Sequence, residues 1–406
     1  MSDEPSKTVC DLFCGAGGLS IGLKVAGFSV VEAIDHTPAA VATYANSVGQ
    51  EVRQEPITPA TEIPPVDVIA GGPPCQGFSS AGLQRKGDHR NTLVEVFSSL
   101  VARIKPAAFI FENVEGFLTT EGGARVLDLL APLIHAGYRI HLRKINAANF
   151  GVPQHRKRVI AIGGLGWSPP FPDATHSAFG APGAHLYGKG LPLVPTLGQA
   201  LEGLPPAVPI GQTPIVADHQ YRPLTGPDLE RAMRLKPGQR MRDLPEEYWH
   251  DSYKRRAYRR VMDGTPSERR GGAPAGVRRL AADQPSKAIT SGARTEFLHP
   301  TEHRALTLRE CSRIQTFPDS FEFVGTQAER ATLIGNAVPP RLAAHLARSL
   351  MSALLDRDSF ETGEGALLSF VPTLSEGMSP ALQTTSELVS RAFSPSPQGK
   401  QLALWH

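Results

Sequence analysis

Residues 67–79, DVIAGGPPCQGFS, restrict what this chain can fold into more than any other stretch. A short apolar run reads as a strand, Gly71 and Gly72 then interrupt it, and Pro73 and Pro74 stiffen the exit. The chain therefore leaves a sheet abruptly and presents Cys75 at the carboxyl end of a strand, where open α/β sheets bind their ligands. A cysteine there is either a nucleophile or one more small buried residue, since free cysteines are commonly buried and inert.

The same pattern occurs near the N-terminus. Residues 8–13 read as a strand running into Cys14-Gly15-Ala16-Gly17-Gly18, and Leu19, Leu23 and Ala26 then share a helical face that Gly27 ends. Glycines in such a turn permit positive φ and close approach of backbone to ligand. A second strand over 28–34 ends at Asp35, about 20 residues past the first glycine, where an acid can accept hydrogen bonds from ribose hydroxyls. The strict GxGxxG spacing is missing, so the turn suits an adenosine better than a pyrophosphate, or it is only a tight bend. Cys10 and Cys14 are expected to pack against it, with no metal role.

Further along, Leu93, Phe97, Leu100 and Ile104 form a helical stripe that stops before Pro106. The strand 107–111 follows and delivers Glu112, Asn113 and Val114 at its carboxyl end. Glu112 is a candidate acid, although a glutamate read alone in such a place is more often a helix cap or surface charge. Another helix, with Val126, Leu130 and Leu133, ends near Gly137, and a strand then leads to Gln154-His155-Arg156-Lys157-Arg158. Strand alternation continuing into 159–162 places Gln154, Arg156 and Arg158 on one face, either a charged sheet edge or a grip on a polar planar ligand.

A chain of 406 residues with 41% hydrophobic composition has room for two domains and extra segments. Its net charge of +3 is too small to name a partner, so any nucleic-acid signal must lie in local clusters. Four irregularly spaced cysteines, Cys10, Cys14, Cys75 and Cys311, make neither a disulfide framework nor a zinc site, which points to a reducing compartment. The start is polar and no apolar run approaches the roughly 18 residues that span a bilayer, so a cytoplasmic protein without membrane attachment is expected.

Beyond Trp167 prolines and glycines accumulate and periodicity fades, with scattered aromatics such as Tyr248, Trp249, Tyr253 and Tyr258. A basic run, Lys254-Arg255-Arg256-Ala257-Tyr258-Arg259-Arg260, is followed by Arg269-Arg270 and Arg278-Arg279. It is a solvated face or a phosphate-contacting surface. Residues 304–317 read as a helix ended by Pro318, and a last helix from Pro339 or Pro340 carries Leu342, Leu346 and Leu350 on one side. The expected division is 1–166 catalytic and cofactor-binding, 167–330 recognition, 331–357 a helix returning to the first part, and 358–406 a loosely ordered tail.

The motifs DLFCGAGG (11–18), GGPPCQGFS (71–79), ENV (112–114), QHRKR (154–158), RALTLRECSRIQTFP (304–318) and GNAVPP (335–340) together resemble the DNA (cytosine-5) methyltransferases. Order and spacing agree from about residue 8 to about 355. The resemblance implies an α/β fold, a Rossmann-like S-adenosylmethionine-dependent methyltransferase sheet with a smaller irregular target-recognition domain. It implies that Phe13, Gly15, Gly17, Asp35, His36, Pro74 and Asn336 line the S-adenosylmethionine pocket. Cys75 is then the nucleophile and Glu112 the acid, while Arg156 and Arg158 bracket the cytosine. Gln76, Ser79, Gln154, Arg255, Arg256, Arg259 and Arg260 are the expected contacts to duplex DNA. A monomer on DNA, either paired with a separately acting restriction endonuclease or a solitary bacterial enzyme, is the implied setting.

Two positions depart from the pattern. His36 stands where an apolar or aromatic residue normally packs on adenine, and Glu55-Pro56-Ile57 puts proline where an aspartate normally meets the adenine amino group, leaving Glu55 to compensate. Three other functions are weaker. A tRNA cytosine methyltransferase would carry a Cys-Phe-Thr signature that is not found; a catalytically dead regulator would have lost Cys75 or Glu112; a small-metabolite enzyme would not need the basic run.

Overall fold

A computed structural model of the chain describes residues 6–74, 93–178, 190–254, 276–373 and 377–393. Its centre is an eight-stranded sheet. In chain order the strands are β1 (Thr8–Leu12), β2 (Ser29–Asp35), β3 (Val52–Gln54), β4 (Val68–Gly71), β5 (Ala108–Val114), β6 (Tyr138–Asn146), β7 (Lys157–Leu165) and β8 (Ala366–Val371). Across the sheet they run β8-β6-β7-β5-β4-β1-β2-β3. Only β7 lies antiparallel to its neighbours. Strands buried on both faces read as unbroken apolar runs, as β4 (VIAG) does here.

Alternation along these strands sorts their side chains between two helical layers. Val9, Val68, Ala70, Ala108 and Ile110 face one core, shared with α1 (Gly18–Val25) and a long C-terminal helix. Leu12, Ile69, Phe109 and Phe111 face the other, shared with α3 (Leu93–Ile104) and α4 (Ala124–His135). Between β2 and β3 lies α2 (Pro38–Ser47). The Rossmann-like architecture expected from the motifs is present.

Three helices follow the irregular portion: α5 (Leu308–Ile314), α6 (Gln327–Asn336) and α7 (Pro340–Leu355). The α7 helix returns to the first part of the chain. Leu342, Leu346 and Leu350 are fully buried, and a Cβ on Gly22 of α1 would stand 2.4 Å from the Ala343 side chain, so the two helices touch nearly backbone to backbone. The helix expected over 304–317 is shorter than its motif because Thr307 caps it, accepting the Glu310 N–H while Glu310 returns to the Thr307 N–H. The α5 and α6 helices share a core with Ala16, Ala39 and Ala40, so they seat on the glycine turn and α2.

The segment after 357 is not a loosely ordered tail where it is described. β8 adds an eighth strand beside β6, and α8 (Pro380–Ala392) buries Leu382, Thr385 and Val389 against α4 and the segment Glu115–Gly123. Serine- and proline-rich flanks hid a six-residue apolar strand, ALLSFV, and one helical stripe. Among the described residues no helix is long and apolar enough to cross a membrane, and no group of three acidic, histidine or cysteine side chains is placed to hold a metal. The described cysteines, Cys10, Cys14 and Cys311, are free and buried.

Because Leu367 of β8 is almost fully buried, Leu367→Ala is expected to cost about 2–4 kcal/mol in urea denaturation. A change near zero would restore the loose-tail reading.

Candidate active site

The chain leaves β1 through three left-handed residues, Phe13 (φ 59°), Gly15 (53°) and Gly17 (82°). Such angles are uncommon for a non-glycine residue, so Phe13 is held where few side chains sit comfortably. The turn is pinned from β2. Cys14 N–H donates to the Ile34 carbonyl at 3.1 Å, Gly15 N–H to Asp35 Oδ2 at 3.0 Å, and Thr37 N–H to Asp35 Oδ1 at 2.8 Å. Asp35 thus ties the glycine turn to the start of α2. A Cβ on Gly15 would meet nothing within 4 Å, leaving space for a ligand, whereas one on Gly17 would stand 2.7 Å from Val48 and 2.9 Å from Tyr44.

Behind the turn lies a buried polar chain absent from the sequence reading. Ser20 Oγ donates to Asp11 Oδ2 at 2.6 Å, and Tyr44 OH donates to Ser20 Oγ at 2.9 Å. Asp11 Oδ1 has no partner among the described residues, and Asp11 also lines the cleft. Burial pushes its carboxyl up to about 7; the Ser20 hydrogen bond opposes this and the nearby Asp35 charge adds to it. An acid inside an otherwise apolar strand was the available signal.

The second exit is that of β4. A Cβ on Gly72 would come within 3.1 Å of Glu112 Oε2, so the glycine makes room for that carboxylate. Glu112 is buried near the end of β5, and its Oε1 is 2.7 Å from Arg158 Nε on β7. Register explains the meeting: in the antiparallel β5–β7 pair Val114 lies opposite Arg158 and Glu112 opposite Ile160, two residues apart on neighbouring strands. Asn113 accepts the Val114 N–H at 2.8 Å and reaches the Pro73 carbonyl through a long 3.5 Å contact. It joins the Glu112 strand end to the backbone that leads to Cys75.

These groups surround one cavity of about 510 Å³, within the usual size for small-ligand sites. Phe13, Gly15, Asp35 and His36 line one side, and Pro74, Glu112 and Arg158 another. Asn336, with Glu329 and Thr332 of α6, closes it from the C-terminal half. His36 is 66% exposed with Nδ1 3.6 Å from Asp35 Oδ1. Glu55 is turned to Arg53 at 3.1 Å and does not line the cavity.

Gln154 and Arg156 are not brought to this cleft. The continuous alternation expected over 154–162 is broken: Gln154–His155 pairs with Ser286–Lys287, and β7 begins only at Lys157. Both side chains are buried among backbone groups of other segments, leaving Arg158 as the arginine that meets Glu112. Burial, with the Arg158 charge second, pushes the Arg156 pKa below the ordinary arginine value. Cys75, Gln76, Ser79, Arg255, Arg256, Arg259 and Arg260 lie outside the described residues.

Fold and cleft together define a Rossmann-like α/β protein with a small-ligand site where its strands end. The family model for C-5 cytosine-specific DNA methylase matches residues 7–352, and the chain belongs to that family. It is a DNA (cytosine-5) methyltransferase; β8 and α8 lie beyond the matched region. The type II methyltransferase M.AgeI of Thalassovita gelatinovora is 31% identical over 429 residues, covering 86% of this chain and all of that protein. M.PspPI of Psychrobacter sp. (strain TA137) is 34% identical over 383 residues, covering 89% of this chain and 84% of its own length. The fold is shared with a prophage-encoded E. coli protein (TM-score 0.63, 24% identity, 86% of this chain and 100% of that one). It is also shared with S. pombe Dnmt2 (0.54, 16%, 86% and 99%).

Asp11 binds its proton more tightly folded than unfolded, so its cost to stability grows as pH rises from about 4 to about 7 and is constant above. Asp11→Asn should therefore gain about 2–4 kcal/mol over wild type between pH 4.5 and pH 8, read from urea denaturation at each pH. A difference independent of pH would mean that Asp11 is ionised in the fold at both.

Proposed function

We propose that the cleft binds S-adenosylmethionine and a cytosine rotated out of a specific duplex DNA sequence, and that the chain methylates carbon 5 through a covalent Cys75 adduct. The observation that carries this reading is the Glu112–Arg158 pair at 2.7 Å, set over Gly72 in the same cavity as the Asp35-pinned glycine turn. On this reading the cofactor and base sites are contiguous.

The pocket suits the cofactor in charge and shape. Asp35 and His36 offer acceptors and a ring for the nucleoside, Gly15 leaves the backbone open to it, and the Asp11 carboxyl lies buried at the cavity lining, on the side of a ligand that carries cationic groups. When bound, S-adenosylmethionine supplies an electrophilic methyl group on a sulfonium.

Carbon 5 of cytosine is a poor nucleophile until electron density is forced onto it. Addition of the Cys75 thiolate to carbon 6 does this, breaking the ring's conjugation. Glu112 donates a proton to ring nitrogen 3, and Arg158, which fixes the Glu112 carboxyl, faces oxygen 2 and stabilises charge there. After carbon 5 is methylated, nitrogen 3 returns its proton to Glu112, water takes the proton from carbon 5, and the electrons of that C–H bond form the 5,6 double bond as the thiolate leaves carbon 6. None of these atoms is reachable in stacked DNA, so the base must be everted at a cost of a few kcal/mol, offset by contacts from the recognition portion and its basic run. The chain acts as a single copy on DNA; that its relatives are type II methyltransferases favours a role as the modification partner of a separate endonuclease.

A duplex carrying 5-fluorocytosine at the target, supplied with S-adenosylmethionine, should form a denaturation-resistant adduct with wild type and none with Cys75→Ser. Wild-type protein that methylates ordinary DNA yet forms no adduct would exclude the covalent route. Glu112→Gln should lower kcat by roughly 10²–10⁴-fold in a methyl-transfer assay, and unaltered kcat would remove the carboxyl from acid catalysis.

A further inference from the structure

Gln154 and Arg156 sit four and two residues before the arginine that meets Glu112, yet they engage a different part of the molecule. Arg156 is 1% exposed, and its guanidinium donates to three carbonyls: Ile289 at 2.7 Å, Gly335 at 2.8 Å and Ala337 at 3.0 Å. Gly335 and Ala337 flank Asn336, the residue that closes the cofactor cleft. Ile289 belongs to the stretch whose Ser286–Lys287 strand pairs with Gln154–His155.

Gln154 completes the grip. Its Oε1 accepts the Ile289 N–H at 2.9 Å, so Ile289 is held by both backbone groups, and its Nε2 donates to the Ile314 carbonyl at 3.0 Å and to Gln315 Oε1 at 2.7 Å. Gln315 Nε2 then donates to the Ile334 carbonyl at 2.6 Å. Independently, a Cβ on Gly335 would stand 2.3 Å from the Ser291 nitrogen and 2.5 Å from the Thr290 carbonyl carbon. No side chain separates the Asn336 turn from residues 290–291.

We propose that Gln154 and Arg156 are positioning residues that lock the Asn336 turn against residues 286–291, so that the C-terminal wall of the cofactor pocket and a strand of the recognition portion move as one body. Arg156 acts on cofactor affinity through Asn336 and does not touch the target base. Three carbonyls from two segments match one planar guanidinium; a lysine has the charge but not the fork. Cofactor binding and placement of residues 286–291 are then linked, because whatever orders one orders the other. The proposal rests on the reading that the cleft holds S-adenosylmethionine.

The test is calorimetric titration of S-adenosylmethionine into the full-length protein without DNA, for wild type, Arg156→Lys, Asn336→Ala and the double variant. Arg156→Lys is expected to raise Kd by about tenfold or more, and the double variant should bind no more weakly than the weaker single, because both changes remove one interaction. In turnover the loss should fall on KM for the cofactor. Unchanged Kd with a loss confined to kcat, or fully additive losses, would overturn the proposal. Should Arg156→Lys fail to fold, Gln154→Met gives the same reading with hydrogen exchange: faster exchange at 333–338 supports the lock, and wild-type protection there overturns it. Wild-type protein that binds no cofactor would sink the cofactor reading and this proposal together, whereas wild-type binding matched by Arg156→Lys sinks only the proposal.

Discussion

Strand register is the constraint on which the site depends. Leu12 of β1 pairs with Gly71 of β4, and Gly71 with Phe111 of β5, so the parallel pairing across three neighbouring strands ends at one level while β5 continues to Val114 against β7. The glycine turn, the Gly-Pro-Pro exit and Glu112 are the next residues on those strands, and they meet because the ladder ends there. A one-residue slip would send every side chain to the opposite core. Gly71 makes slippage costly in another way, since a Cβ there would lie 2.7 Å from the Leu12 carbonyl; the strands approach at a spacing only glycine fits.

Arginine solves a different problem in the irregular half. Short strands and loops leave backbone carbonyls without ladder partners, and a buried carbonyl without a donor is costly. Arg279 donates to the carbonyls of Ala232, Leu235, His299 and Glu302, and Arg309 to those of Ala217, Pro318 and Phe321. Arg156 does the same at the junction of the two halves. Each guanidinium offers five donors in one plane, enough to gather segments distant in sequence. A region with little regular structure is thereby held by a few buried cations, around small apolar clusters such as Ala232, Leu235, Met241 and Tyr253.

Much of this was legible in the residues because local rules and tertiary structure agree in the sheet. The runs at β1, β4 and β5 are apolar, the turns carry the glycines they need, and Leu342, Leu346 and Leu350 mark the buried face of α7. The misreadings have physical causes. ALLSFV is too short to stand out from its polar flanks and becomes a strand only because β6 offers an open edge. Asp11 was passed over because an acid in a strand says nothing about whether its carboxylate faces solvent or a cleft. Periodicity also carried Gln154, Arg156 and Arg158 onto one face, but period 2 holds only within one strand, and this one ends at His155 and restarts at Lys157.

That break changes how positive charge near the base should be understood. Three side chains on one face would have put two cations at the cleft, with little but proximity to distinguish them. Instead the strand interruption at Arg156 sends consecutive arginines of the motif in separate directions, one to the Glu112 carboxylate and one to neutral carbonyls. A buried cation facing a carboxylate forms a compensated pair, whose loss on one side leaves an uncompensated charge; a cation facing carbonyls is stabilised by dipoles alone. The first arrangement keeps the carboxyl oriented at the cleft while adding little net charge there. The second places its guanidinium away from the cleft and directs its donors to backbone, so the same residue type faces a carboxylate at one position and carbonyls two residues earlier.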